Sequence, residues 1–170
     1  MIRQRPCHRQ VNRQAPESSD ESDKLKMNNY KIREMKISDY KQVSALWQRT
    51  EGMGWSISDT KSHLNKYLKR NKGMCFVAFD GKNSIIGTIQ SGHDGKRGYI
   101  YHLAVDKKHR KLGIGEALVN RSLSKIKKTG IPKCTLFIFS DNIEGKKFWK
   151  NLGWFTRTDL TFMQYEFKAT

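Results

Sequence analysis

Hydrophobic and polar positions divide this chain into an unpatterned beginning and a series of short periodic runs. Residues 1–26 hold almost no apolar side chains and cannot offset the entropy lost on ordering. They are expected to form a disordered extension, with one folded domain over 27–170 and Met27 as an alternative start. Residues 30–35 alternate apolar and polar as a strand does. Ser38-Asp39-Tyr40 opens a helix carrying Val43, Leu46 and Trp47, and Glu51-Gly52-Met53-Gly54-Trp55 breaks it. A second helix is predicted from a cap at Ser58 or Asp59 through Leu64, Tyr67 and Leu68, stopping before Asn71-Lys72-Gly73.

Two strand-like runs, 74–79 and 84–90, are joined by Asp80-Gly81-Lys82-Asn83, which by composition is a hairpin turn. A second turn over 92–98 leads into a strand at 99–105. The helix that begins near Gly113 places Leu118, Val119, Leu123 and Ile126 on one half of its surface and ends at Gly130-Ile131-Pro132. Residues 134–139 are continuously apolar, as in an interior strand. Asn142 caps a helix through Phe148 and Leu152, and two closing strands are predicted at 154–158 and 160–167. The order predicts an α/β domain: a mixed, mainly antiparallel sheet of about seven strands, with about four helices on both faces.

Composition narrows the class. Hydrophobic residues at 36% are enough for a core, and no apolar run approaches the roughly 20 residues of a membrane helix, so a soluble protein with no membrane association is expected. Cys7, Cys75 and Cys134 are odd in number and widely spaced, which suits a reducing cytoplasm and suggests neither a disulfide framework nor a metal site. The net charge of +17 favours anionic partners, whether a polyphosphate ligand, an acidic surface or nucleic acid, without choosing among them.

The segment from Val105 to Glu116 is more specific: a strand ends, a basic turn follows, and Gly113 and Gly115 open a helix. Amides at a helix start have no intrahelical partners and sit at the positive end of the dipole, so they can cradle a phosphate. Arg110 and Lys111 add charge. An ordinary strand-to-helix connection with solvated cations is the other reading of these residues taken alone. The nucleotide-binding pattern G-x-x-x-x-G-K-[ST] is absent, and Leu118 stands where G-x-G-x-x-G needs its third glycine.

Three spaced blocks, Leu103-Ala104-Val105, Arg110-x-x-Gly113-x-Gly115 and Asn142-x-x-Gly145-x-x-Phe148-Trp149-x-x-x-Gly153-Trp154, resemble the signature blocks of the GNAT N-acetyltransferases over about residues 30–167. Small bacterial members with a Gly-His-Asp-Gly turn, the YpeA-like branch, are particularly similar. The resemblance implies acetyl-CoA as co-substrate and no metal. Its diphosphate would lie on the amides of Arg110, Lys111, Leu112, Gly113, Ile114 and Gly115. Its extended arm would pair with Leu103, Ala104 and Val105, with Asn142 on the arm and Trp149 beside it.

The sequence departs from the family pattern where many members carry a tyrosine acid or a glutamate base, since Trp149 and Phe137 occupy those positions and neither exchanges a proton. The catalytic expectation moves to Glu51, as amine-binding carboxylate or base, and to Tyr101, as acid or water-orienting group. Glu51, Trp55, His93, Asp94 and Tyr99 are the expected substrate contacts. Strand alternation puts Tyr99, Tyr101 and Leu103 on one face and His102 on the other, as a packed strand residue. The expected reaction is transfer of acetyl to a primary amine, on a small molecule, a protein N-terminus or a lysine, with homodimerisation allowed. An aminoacyl-tRNA acetyltransferase or other nucleic-acid-associated protein, and a coenzyme A sensor without turnover, are the alternatives.

Overall fold

The computed structural model describes residues 30–167; the expected extension over 1–26 lies outside them. The elements are β1 (Tyr30–Glu34), α1 (Tyr40–Gln48), α2 (Lys61–Arg70), β2 (Phe76–Asp80), β3 (Ile85–His93), β4 (Gly98–Val105), α3 (Ile114–Lys128), β5 (Cys134–Leu136) and α4 (Ile143–Asn151). They form one sheet in the order β1-β2-β3-β4-β5. The first four strands are antiparallel neighbours and β5 joins β4 in parallel.

Local chemistry explains the connections. Asp80 Oδ1 accepts from the amides of Lys82 and Ser84 at 2.9 and 2.8 Å, closing the β2–β3 turn. Asp94 Oδ1 does the same for Lys96 and Arg97, both at 2.7 Å, before β4. A parallel partner cannot be reached by a tight turn, and α3 supplies the crossover from β4 to β5. Gly87 is what lets α3 sit close: a Cβ there would lie 2.8 Å from Ile114 Cγ2.

The two helical layers divide the core as the periodicity predicts. Val43, Leu46, Trp47 and Leu64 of α1 and α2 pack with Val77, Ile85 and Ala104 on one face of the sheet. Ile114, Leu118 and Val119 of α3 pack on the other with Ala78, Ile86, Ile89 and Ile100, and Phe148 and Trp149 of α4 close that side. Burying a side chain such as Leu118 contributes about 1.5–3 kcal/mol. Cys75 is one of these packed side chains, and burial pushes its thiol up to about 12.

The sheet has five strands and not seven. Residues 154–158 and 160–167 form no strand, and the run at 134–139 is strand only through Leu136. Alternation marks a strand only if a sheet edge takes its backbone bonds and a layer covers its apolar side. Here Phe155, Met163, Tyr165 and Phe167 are 79–90% exposed, and the segment touches the end of β5 through Phe162 against Phe137, 5.0 Å between ring centres. No helix among the described residues is long and apolar enough to cross a membrane.

Candidate active site

The turn between β4 and α3 is built to leave amides free. Asp106, after the last residue of β4, donates its own amide to Ile86 O at 2.8 Å and accepts from Lys108 N at 3.1 Å. The chain then passes through left-handed backbone at Lys111 (φ 63°) and Gly113 (φ 75°). Gly113 is the N-cap of α3 and has no side chain to cap it. The first helical bond runs from Ala117 N to Gly113 O at 2.9 Å, so the amides of Ile114, Gly115 and Glu116 precede it without an intrahelical acceptor. A Cβ on Gly113 would meet nothing within 4 Å, so the space before the helix is open. Gly115 has a second duty, since its Cβ would lie 3.3 Å from the Phe148 ring of α4.

Beside this turn the sheet splits. β4 pairs with β3 as far as Val105, opposite Gly87, but its pairing with β5 ends at Ile100 opposite Leu136. Along residues 101–105, which include Leu103, Ala104 and Val105, the second edge of β4 carries no strand among the described residues. Such a row of main-chain donors and acceptors can take an extended ligand as an added strand. Asn142 Oδ1 caps α4 by accepting from Gly145 N at 2.8 Å. Its Nδ2 faces Gly52, where a Cβ would come within 2.7 Å, so the loop after α1 rests on the start of α4.

A bulge changes the facing of β4. Ile89 pairs with Leu103 and Ser91 with Ile100, which leaves Gln90 opposite both Tyr101 and His102. One extra residue reverses the alternation beyond it. Leu103 therefore packs on the α3 side with Ile100, whereas His102 joins Tyr101 on the side of α1 and α2. This corrects the expectation that Leu103 shares a face with Tyr99 and Tyr101 and that His102 opposes them. A bulge depends on the register of two strands, and nothing in the composition of either marks it.

The repositioned His102 meets a buried carboxylate. Its Nε2 lies 2.6 Å from Asp59 Oδ1, and its ring is tilted against Trp47 with centres 4.6 Å apart. Trp47 Nε1 donates to Thr88 Oγ1 at 2.9 Å, which fixes the indole. Asp59 is 6% exposed. Its Oδ2 accepts from Ser56 N at 2.8 Å and from Ser56 Oγ at 3.2 Å. Thr60, not Ser58 or Asp59, is the N-cap of α2, so the Asp59 carboxylate is spent on Ser56 and His102.

The other candidates gather in two places. Tyr99 stacks on Tyr101 at 6.1 Å and donates to Asp94 Oδ2 at 3.2 Å, and Tyr101 meets Tyr67 edge-on at 6.0 Å. Burial pushes the Tyr101 hydroxyl up, so it stays protonated at neutral pH although the residue is 48% exposed. The backbone N–H groups of Arg97 and Lys96 hold the Asp94 carboxyl below its usual range, and His93 Nδ1 accepts from Gly95 N at 3.1 Å. Both residues shape the turn. Glu51 lies against the β4–α3 turn, accepting from Lys107 Nζ at 3.2 Å and Arg110 Nη1 at 3.3 Å, and these cations hold its carboxyl low. Trp55 is half exposed, 6.5 Å from Trp47. Trp149 packs between Phe148 and Trp154. No cluster of metal-binding side chains occurs among the described residues.

Known proteins resemble this chain in sequence and in fold. The sequence pattern described as "Acetyltransferase (GNAT) family" matches residues 40–154. An acetyltransferase of Sodalis glossinidius is 31% identical over 112 residues, spanning 65% of this chain and 77% of that protein. Two solved structures are alike in fold. Ard1 from Thermoplasma volcanium has a TM-score of 0.66 at 23% identity, covering 74% of this chain and 82% of its own. The PaiA N-acetyltransferase from Thermoplasma acidophilum, in complex with coenzyme A, has 0.63 at 20% identity, covering 72% and 87%.

Proposed function

This chain belongs to the acetyltransferase (GNAT) family and is an acetyltransferase with acetyl-CoA as co-substrate, and we propose that it passes the acetyl group to a primary amine by direct attack in a ternary complex. The observation that carries this reading is the unpaired edge of β4 at 101–105, which leads straight to the free amides at the head of α3. The amides of residues 110–115, with the Arg110 and Lys111 side chains, hold the diphosphate. Leu103, Ala104 and Val105 bind the extended arm through main-chain bonds, Asn142 Nδ2 is free to donate to it, and Trp149 flanks it. Held at both ends, the thioester is positioned where the strands part, which lowers the entropic part of the barrier.

The amine enters beside the loop of Glu51 and Trp55 and the turn of His93, Asp94 and Tyr99. An alkylammonium, with a reference pKa of about 10.4, must give up one proton before its nitrogen attacks. A C–N bond then forms and the C–S bond breaks; the sulfur gains the Tyr101 hydroxyl proton, and the second nitrogen proton passes through solvent to the tyrosinate, which restores the hydroxyl. A β4 amide near Val105 polarises the carbonyl. The wide spacing of the cysteines supports a cytoplasmic setting.

Calorimetry with acetyl-CoA, followed by thiol release against small amines, peptides and tRNA, tests the reading. Gly113→Val should keep the fold, at a cost of about 1–2 kcal/mol for left-handed backbone, and weaken acetyl-CoA at least about tenfold. Unchanged affinity in this variant would overturn the diphosphate assignment.

A further inference from the structure

The pair of Asp59 and His102 is a firmly held titratable group that the reading above leaves unused. Asp59 is fixed on three sides: Ser56 N and Ser56 Oγ bind its Oδ2, and His102 binds its Oδ1. An ionised carboxylate only accepts, so Nε2 carries the hydrogen and the lone pair of a neutral ring stands on Nδ1. Nδ1 has no partner among the described residues. The imidazole is not sealed in, since 14% of its side chain is exposed. The bulge sets it on the stretch of β4 that has already lost β5, next to Tyr101.

A second, independent observation comes from across the bulge. Gln90 is 6% exposed, and its Oε1 is the one buried side-chain polar atom among the described residues without a hydrogen-bond partner. A buried orphan acceptor is costly unless a donor arrives. On this side of the sheet Gln90 lies between Thr88, bound to Trp47, and Gly92, where a Cβ would strike Asn71 and Tyr67. His102 is tilted on the Trp47 indole from α1 and bound to Asp59 from the turn before α2; Tyr101 precedes it with Tyr67 of α2 behind, Thr88 holds the same indole, and Gln90 stands across the bulge on β3. Asp59 is the charged group that faces the ring. A base with a free lone pair and an orphan acceptor together suit a nitrogen that brings several N–H donors and must lose one.

Resting on the acetyltransfer reading, we propose that His102 Nδ1 takes the proton from the acceptor's ammonium, with Gln90 Oε1 accepting a hydrogen bond from the same nitrogen and Asp59 acting as the positioning residue. The proton moves from nitrogen to Nδ1, the resulting imidazolium is stabilised by Asp59, and the freed electron pair attacks the thioester carbonyl.

The test uses the full chain with acetyl-CoA and two amines, n-propylamine, protonated at neutral pH, and hydroxylamine, which is largely unprotonated there. His102→Gln should lower kcat/KM for n-propylamine about 10²-fold and hydroxylamine only slightly, with acetyl-CoA affinity unchanged. The rise of rate with pH that a histidine base imparts should be absent in this variant. Asp59→Asn should lower kcat more than it changes KM, and nitrogen NMR should show the Nε2–H tautomer of His102 in the native protein but not in this variant. Equal losses with both amines, or a retained pH rise, would overturn the proposal while leaving acetyl-CoA binding intact. Loss of that binding in the native protein would instead undo the reading beneath it. Should neither amine turn over, the ring signals decide: a neutral ring with its hydrogen on Nδ1 sinks the assignment, and one on Nε2 that shifts when n-propylamine is added with acetyl-CoA present sustains it.

Discussion

The same three residues, Ile-Ser-Asp, stand ahead of both helices on one face of the sheet, at Ile37–Asp39 before α1 and at Ile57–Asp59 before α2. Each makes one turn of tight helix. In each the aspartate is buried and reaches back to the amide three residues earlier, Lys36 N and Ser56 N, both at 2.8 Å. Their other partners differ. Asp39 takes a two-pronged bond from Arg33 at 2.7 and 2.8 Å, on the outermost strand of the sheet. Asp59 takes His102 at the bulge of β4. An arginine partner never gives up its proton, so the first turn can only fasten β1 to α1. A histidine partner can, and the second turn lies where the sheet opens. One local motif thus serves architecture in one copy and chemistry in the other, and the partner decides which.

The contrast can be broken most directly through turnover. Asp59→Asn should cost about 10²-fold in kcat, whereas Asp39→Asn should leave kcat within about twofold, measured on the same amine. Equal effects would erase the distinction. Stability should reverse the order of interest: Asp39→Asn is expected to cost about 1–2 kcal/mol in urea unfolding, discounted because the Arg33 side chain is 39% exposed. Acidity sharpens this further. Burial raises the Asp39 carboxyl, but the bonds from Arg33 and Lys36 outweigh it and hold the group below its usual range. A carboxylate depressed in the folded state stabilises above its unfolded pKa, and that contribution is lost as pH falls through the lower folded value. Unfolding curves from pH 6 to 2 should therefore show a loss of stability in the native chain that Asp39→Asn lacks. The smallest effect belongs to Glu51, an exposed carboxylate paired with Lys107 and Arg110. Glu51→Gln should leave the urea midpoint unchanged and tighten acetyl-CoA about twofold at low salt, because two cations near the proposed diphosphate site are released.

Much of this was legible in the order of residues. Both hairpin turns, the four helices and the glycine-led start of α3 are local, set by side chains a few positions apart, and periodicity reports local structure well. The conformation of the β4–α3 turn was readable for the same reason, since Gly113 and Gly115 act within one stretch of chain. The bulge was not, because it exists only in the register of β3 against β4. His102 and Asp59 are 43 positions apart and meet only after that bulge has turned the imidazole toward α2. The closing hairpin was read from alternation that is present in residues 160–167, but β5 offers three residues of strand and no regular pairing beyond them.

The parting of β4 from β5 after Ile100 has a consequence for the life of the protein. A strand left without its neighbour over five residues makes the native state an unfinished piece of masonry, and on the proposed placement the missing course is a metabolite. When acetyl-CoA stands at about a hundred times its dissociation constant, occupancy adds about 2.7 kcal/mol to the folded form. Ligand-free protein would then be more open to proteolysis than protein saturated with acetyl-CoA.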